Sequence, residues 1–172
     1  MKKIILSLIV FLFMNGSNGF AAPINTLDQG QMSIGIVGGN TTNCYYLENK
    51  VSNNVTIGIQ SINSDIDFYG RIALSNGLSS DNPSNSSGVP QLIIGSRDLK
   101  TGATTYGGVG ITVPLAEGLD AYTSLIAGSN LQEFQLGATS KISDSVSLNF
   151  NYRNVRHNGT KNGVGIGLDC RI

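Results

Sequence analysis

The chain has 172 residues, 11 basic against 11 acidic, with 22 glycines, two cysteines, one histidine and charged residues at only 13%. A sequence so low in charge and 40% hydrophobic is a poor candidate for intrinsic disorder, and its length suits one domain. It also lacks the basic excess of a nucleic-acid binder, so no nucleic-acid partner is expected.

Lys2 and Lys3 open the chain, an apolar run follows from Ile4 to Met14, and small and polar residues lead to Gly19, Phe20 and Ala21. That order predicts a secretory signal over residues 1–21, cut after Ala21. A cut after Ala22 would put Phe20 at the third position back and Pro23 beside the bond. The apolar run is well short of the ~20 residues of a membrane-spanning helix. No cysteine lies near the cut, which argues against a lipoprotein anchor. Loss of two lysines takes the 11 basic residues to nine against 11 acidic, a net charge of −2. A short N-terminal segment, 22–29, then precedes a domain over 30–172.

Alternation of apolar and polar residues, bounded by turn chemistry, predicts ten strands at 30–38, 43–50, 54–61, 65–75, 89–97, 103–113, 119–127, 131–141, 145–155 and 162–172. The connections are rich in Asn, Gly, Ser and Asp, as at Ser52-Asn53-Asn54, Asn63-Ser64-Asp65, Ser143-Asp144 and His157-Asn158-Gly159. Hairpins in series make an antiparallel meander, and no stretch beyond the signal has a helical period. The long polar stretch Asn76–Gly88 reads as a surface loop; an eight-strand count, with one early hairpin lost, is the alternative that relieves it.

Each strand has two unlike faces. In Ser145–Val155, Val146, Leu148, Phe150 and Tyr152 share one face, and Ser147, Asn149, Asn151 and Arg153 the other. The last strand sets Val164, Ile166, Leu168, Cys170 and Ile172 against Gly163, Gly165, Gly167, Asp169 and Arg171. Along the chain the polar face collects Glu48, Asp67, Arg71, Arg97, Asp120, Glu133, Lys141, Arg153, Asp169 and Arg171, mixed in sign. It also collects glycines, as a narrow closed interior requires. An apolar face turned outward and a polar face turned inward predict a barrel in lipid, where only helices and closed barrels satisfy the backbone.

In these respects the mature chain resembles the small outer-membrane β-barrel proteins of double-membraned bacteria. The resemblance implies an all-β, antiparallel, up-and-down transmembrane barrel with both ends in the periplasm. It places the turns near 50–54, 114–119 and 142–145 on that side and 155–162 outside; Asn76–Gly88 would also be periplasmic, where turns are usually short. It implies outer-membrane lipid as surroundings and the barrel-assembly machinery as a partner during biogenesis, which reads the final strand. Ile172 stands where that class carries a terminal aromatic.

Three functions follow from these residues. The first is a structural barrel or minor passive pore, its lumen plugged by the polar and charged side chains named above. The second is a lipid A-modifying barrel enzyme with His157 as general base; such deacylases pair the histidine with a serine two residues on, and here that position is Gly159. The third is a soluble secreted barrel holding a small apolar ligand. No phosphate-binding loop, zinc spacing or nucleophile elbow occurs, so no cofactor or metal is expected. Two cysteines in an exported chain suggest a disulfide, but the strand order sets Cys44 and Cys170 near opposite ends, beyond the ~7 Å Cα limit.

Overall fold

The computed structural model describes residues 21–39, 43–74, 88–99 and 102–172. The predicted signal, apart from Ala21, and most of the Asn76–Gly88 loop lie outside them. Ten strands follow in chain order: β1 (Met32–Gly38), β2 (Asn43–Lys50), β3 (Val55–Ile62), β4 (Asp65–Ala73) and β5 (Val89–Leu99) form the first half. The second half is β6 (Gly102–Ala116), β7 (Leu119–Gly128), β8 (Leu131–Lys141), β9 (Val146–Arg156) and β10 (Thr160–Arg171). Each pairs antiparallel with its neighbours, and β1 pairs with β10 to close a barrel. The structure therefore has ten strands, not eight.

The seam runs from Ser33 opposite Arg171 to Gly38 opposite Ile166, and Met32 and Ile172 exchange backbone hydrogen bonds of 3.0 and 2.9 Å beyond it. Closure leaves no unpaired sheet edge, so the ladder satisfies the backbone groups of the strands internally. The turns follow their residues: Asn63 and Ser64 both take positive φ, 52° and 76°, as a two-residue turn between twisted strands requires. We call the end with the turns at 63–64, 129–130 and 157–159 the far end. The near end holds the turns at 51–54, 117–118 and 142–145 and the start of β1.

The two faces fall as the alternation predicts. Ile34, Ile57, Phe68, Ile94, Leu125, Leu136 and Leu168 lie on the outside, with Phe68 59% and Ile94 58% exposed. Asp67, Asn149, Asn151 and Asp169 lie inside and are fully buried. The interior is thus polar and the exterior apolar, the reverse of a barrel holding an apolar ligand.

The width of the interior is managed by pairs of tyrosine and glycine. Tyr46, Tyr69, Tyr106 and Tyr122 point inward, and each sits directly across from a glycine on the adjacent strand: Gly35, Gly58, Gly95 and Gly137. A Cβ at any of the four would overlap the tyrosine ring. The ring fills the space of the missing side chain, covering a glycine that would otherwise weaken the strand.

Cys44 is buried, Cys170 is exposed on the outer face, and neither is bonded. The two stand on opposite faces of the wall.

The Tyr–Gly pairs carry a test. Gly95→Val pushes a branched side chain into Tyr106 and the Phe68 carbonyl and is expected to cost about 1–3 kcal/mol as an overpacked position, read as a lower urea midpoint in detergent. At Gly107 a Cβ meets only the Ile93 carbonyl, at 4.0 Å, so Gly107→Val should leave the midpoint unchanged or raise it. Equal losses at both positions would rule out the packing account.

Candidate functional site

Inward side chains of β2 to β6, β8 and β9 meet in two hydrogen-bonded charge clusters inside the barrel. The first centres on Glu48 of β2. Its Oε1 accepts from Tyr69 Oη at 2.6 Å and from Arg71 Nη2 at 2.7 Å. Its Oε2 accepts from Asn25 Nδ2 at 3.1 Å. Strand spacing explains the set, because Tyr69 and Arg71 are two residues apart on β4 and so face the same way.

The second cluster runs across the lumen. Asp67 Oδ2 accepts from Arg97 Nε at 3.0 Å, Arg97 Nη2 at 2.7 Å and Gln60 Nε2 at 2.8 Å. Its Oδ1 accepts from Tyr106 Oη at 2.8 Å. Arg97 Nη1 also donates to Glu133 Oε2 at 2.8 Å, and Arg153 donates to the same oxygen. The chain Asp67–Arg97–Glu133–Arg153 thus ties β4, β5, β8 and β9 together. All four side chains are at most 5% exposed. Charges so enclosed are tolerable only when paired and further hydrogen-bonded, as these are.

The remaining predicted lumen charges are placed differently. Asp169 is fully buried, accepts from Ser33 Oγ at 3.2 Å and stands 3.9 Å from Arg171 Nε. Arg171 also donates to Ser147 Oγ at 3.1 Å. Asp120 lies at the near end, where Thr26 Oγ1 donates to it at 3.2 Å. Lys141 is not brought into the lumen: it is 43% exposed at the end of β8 and pairs with the fully exposed Asp144 at 3.0 Å.

The lumen also holds backbone. Asp28 to Gln31 form a turn, with Gly30 at φ 82° and Gln31 N–H donating to the Asp28 carbonyl at 2.9 Å. The chain before it therefore doubles back inside the barrel instead of leaving it. Ala21, Ala22, Ile24, Asn25 and Leu27 are all at most 8% exposed. Arg71 Nη1 donates to the Pro23 carbonyl at 3.3 Å and Gln135 Nε2 to the Ala22 carbonyl at 3.1 Å. Ala21 and Ala22 pack with Val37, Cys44, Tyr46 and Ile62. Beside this segment an internal cavity of about 40 Å³ remains, bordered by Ile24, Tyr69, Arg97 and Glu133 among others.

His157 lies at the far end, away from both clusters. Its Nδ1 is 2.8 Å from the Asn130 carbonyl, and its Nε2 is 3.3 Å from Asn158 Nδ2. Both contacts belong to the neighbouring turns. Among the described residues no group of His, Cys, Asp and Glu could hold a metal ion.

Reading the alternation alone misses the inward tyrosines at 46, 106 and 122 and the lumen segment. A signal for the tyrosines does exist: Gly35 and Tyr46, Gly58 and Tyr69, and Gly95 and Tyr106 repeat one spacing across three hairpins. The segment leaves no periodic trace, since it is extended and too short to show one.

No family model matches the chain, and no curated protein matches it in sequence. Solved structures similar in shape include a de novo designed transmembrane β-barrel, 14% identical, with a TM-score of 0.41 over 85% of this chain and 98% of the other. The NanC porin is similar at 9% identity and a TM-score of 0.49 over 81% and 98%. The N-terminal β-barrel domain of Pseudomonas aeruginosa OprF is similar at 7% identity and 0.40 over 84% and 98%. At these values none of them decides anything about this chain, whose closure is read from its own strand pairing.

The buried network predicts a contrast. Asp67→Ala leaves Arg97, Gln60 and Tyr106 without their shared acceptor and should destabilise the barrel by about 3–5 kcal/mol, the cost of breaking an enclosed ion pair from one side. Lys141→Ala, which removes an exposed pair, should not shift the unfolding midpoint measurably. A small loss for Asp67→Ala would show that the lumen is wet enough to solvate Arg97.

Proposed function

We propose that the protein is a closed β-barrel of the bacterial outer membrane, a structural component of the envelope and not a wide pore. One observation carries this reading: the outer wall is apolar around its circumference while the enclosed side chains are charged and paired. Soluble monomers rarely expose a continuous apolar surface beyond a few hundred Å². In lipid the same surface is at home, and the closed ladder leaves no strand edge to satisfy.

The predicted signal supports export. In this reading the near end faces the periplasm and the turns at 63–64, 129–130 and 157–159 face outward. The alternating outer residues of β10, from Val164 to Cys170, supply the strand that the barrel-assembly machinery would engage. The clusters at Glu48 and Asp67, with the segment Ala21–Leu27, occupy the space a solute would need. A lipid A-modifying role gains no support from His157, whose Nδ1 faces a backbone carbonyl and whose Nε2 faces a side-chain amide.

Two measurements test this. The protein should fractionate with the outer membrane and migrate differently on a gel before and after boiling. In planar bilayers it should show no discrete openings. A freely soluble protein with no heat-dependent shift would overturn the location; steady single-channel openings would overturn the closed lumen in favour of a minor passive pore.

A further inference from the structure

We propose that residues 22–28 are a peptide plug that docks in the lumen through a free N-terminus, at a site made by Gln60, Asn151 and the slot over Gly110. The inference rests on the reading of the chain as an exported, closed barrel. It adds what closes the barrel and how that closure is set.

The peptide bond between Ala21 and Ala22 is held from two strands. Its N–H donates to Gln60 Oε1 on β3 at 2.7 Å, and its carbonyl accepts from Asn151 Nδ2 on β9 at 3.4 Å. This is also the bond at which the signal is predicted to be cut. Hydrolysis by the export machinery's peptidase adds one water across it: Ala21 departs as a carboxylate and Ala22 keeps an amine that takes up a proton. One amide donor thereby becomes an ammonium with three.

The lumen is prepared for those donors. Asn151 is fully enclosed, yet its Oδ1 has no hydrogen-bond partner, a state that is unfavourable for a buried acceptor. Its side chain already reaches the scissile bond, so the ammonium can serve it while keeping Gln60. Gln60 in turn donates to Asp67, which links the new charge to an acid. Among the described residues the buried charges are four carboxylates, Glu48, Asp67, Glu133 and Asp169, against three guanidiniums, Arg71, Arg97 and Arg153, with Arg171 partly exposed.

Shape fits as well as charge. Ile24 lies over Gly110, where a Cβ would come 3.1 Å from its Cδ1. A larger residue there crowds Ile24 out of its slot.

The decisive experiment uses the protein purified from outer membranes and scored first for its heat-dependent gel shift. Mass spectrometry should find Ala22 at the N-terminus. An amine-selective reagent should leave that amine unmodified in the folded protein and modify it after boiling, with the exposed lysines labelled in both as the control. Deletion of residues 22–28, or Gly110→Val with the full chain, should open discrete conductance. The synthetic peptide Ala-Pro-Ile-Asn-Thr-Leu-Asp should block the opened deletion barrel. Its N-acetylated form should be about ten-fold weaker, the worth of one charge-assisted hydrogen bond. Ready labelling of the folded protein, or silent bilayers from a heat-shifted deletion variant, would overturn the plug. Absence of the heat shift in the wild-type protein would instead overturn the outer-membrane reading on which it rests. Should the deletion variant fail to fold, labelling and Gly110→Val decide alone.

Discussion

A ten-strand barrel with this interior has room for one layer of side chains from each wall and little else, and that shortage of space governs what the lumen contains. Where a tyrosine crosses the interior, the residue opposite must be glycine, as at Gly35, Gly58, Gly95 and Gly137. Where an arginine crosses it, the head must land on a carboxylate, because a charge so enclosed is costly unless it is paired. Arg97 meets two, Asp67 and Glu133. The backbone of residues 21–27 fits only because Gly110 leaves a slot for Ile24 and small side chains at 21 and 22 pass Val37 and Ile62.

The same constraint couples wall and contents. Tyr69 and Tyr106 fill space over their glycines and also donate to Glu48 and Asp67. Arg71 and Arg97 lie over those two rings at 5.7 and 5.6 Å, adding cation–π contact. The residues that set the width of the barrel are therefore also those that hold its charges. Asn25 and the Pro23 carbonyl join the Glu48 cluster from the segment side. Wall, network and inserted chain make one hydrogen-bonded unit rather than three.

The candidate site was legible in part. Alternation placed Glu48, Asp67, Arg71, Arg97, Glu133, Arg153 and Asp169 on a face that the structure encloses, because strand period is a local property that one residue of slip would reverse. It treated Lys141 in the same way, yet Lys141 ends its strand, where an inward direction leads to the open mouth and a long side chain reaches solvent. Tyr46 shows the converse: its neighbour Tyr45 is 55% exposed and Tyr46 is 3% exposed, so residue type alone says nothing of which tyrosine turns in.

What the sequence by itself determined is the faces of the strands, the antiparallel order and the turns, all of which depend on contacts within a hairpin or on a period of two; the choice of ten strands over eight came with the closed pairing. Only the tertiary structure decided which inward residues meet. Arg97 and Glu133 lie on β5 and β8, which do not pair, so their contact depends on the stagger and diameter of the closed barrel. The folding of residues 21–27 into the lumen was decided there too, since an extended segment has no pattern of its own and takes its place from the hydrogen-bonding groups that surround it.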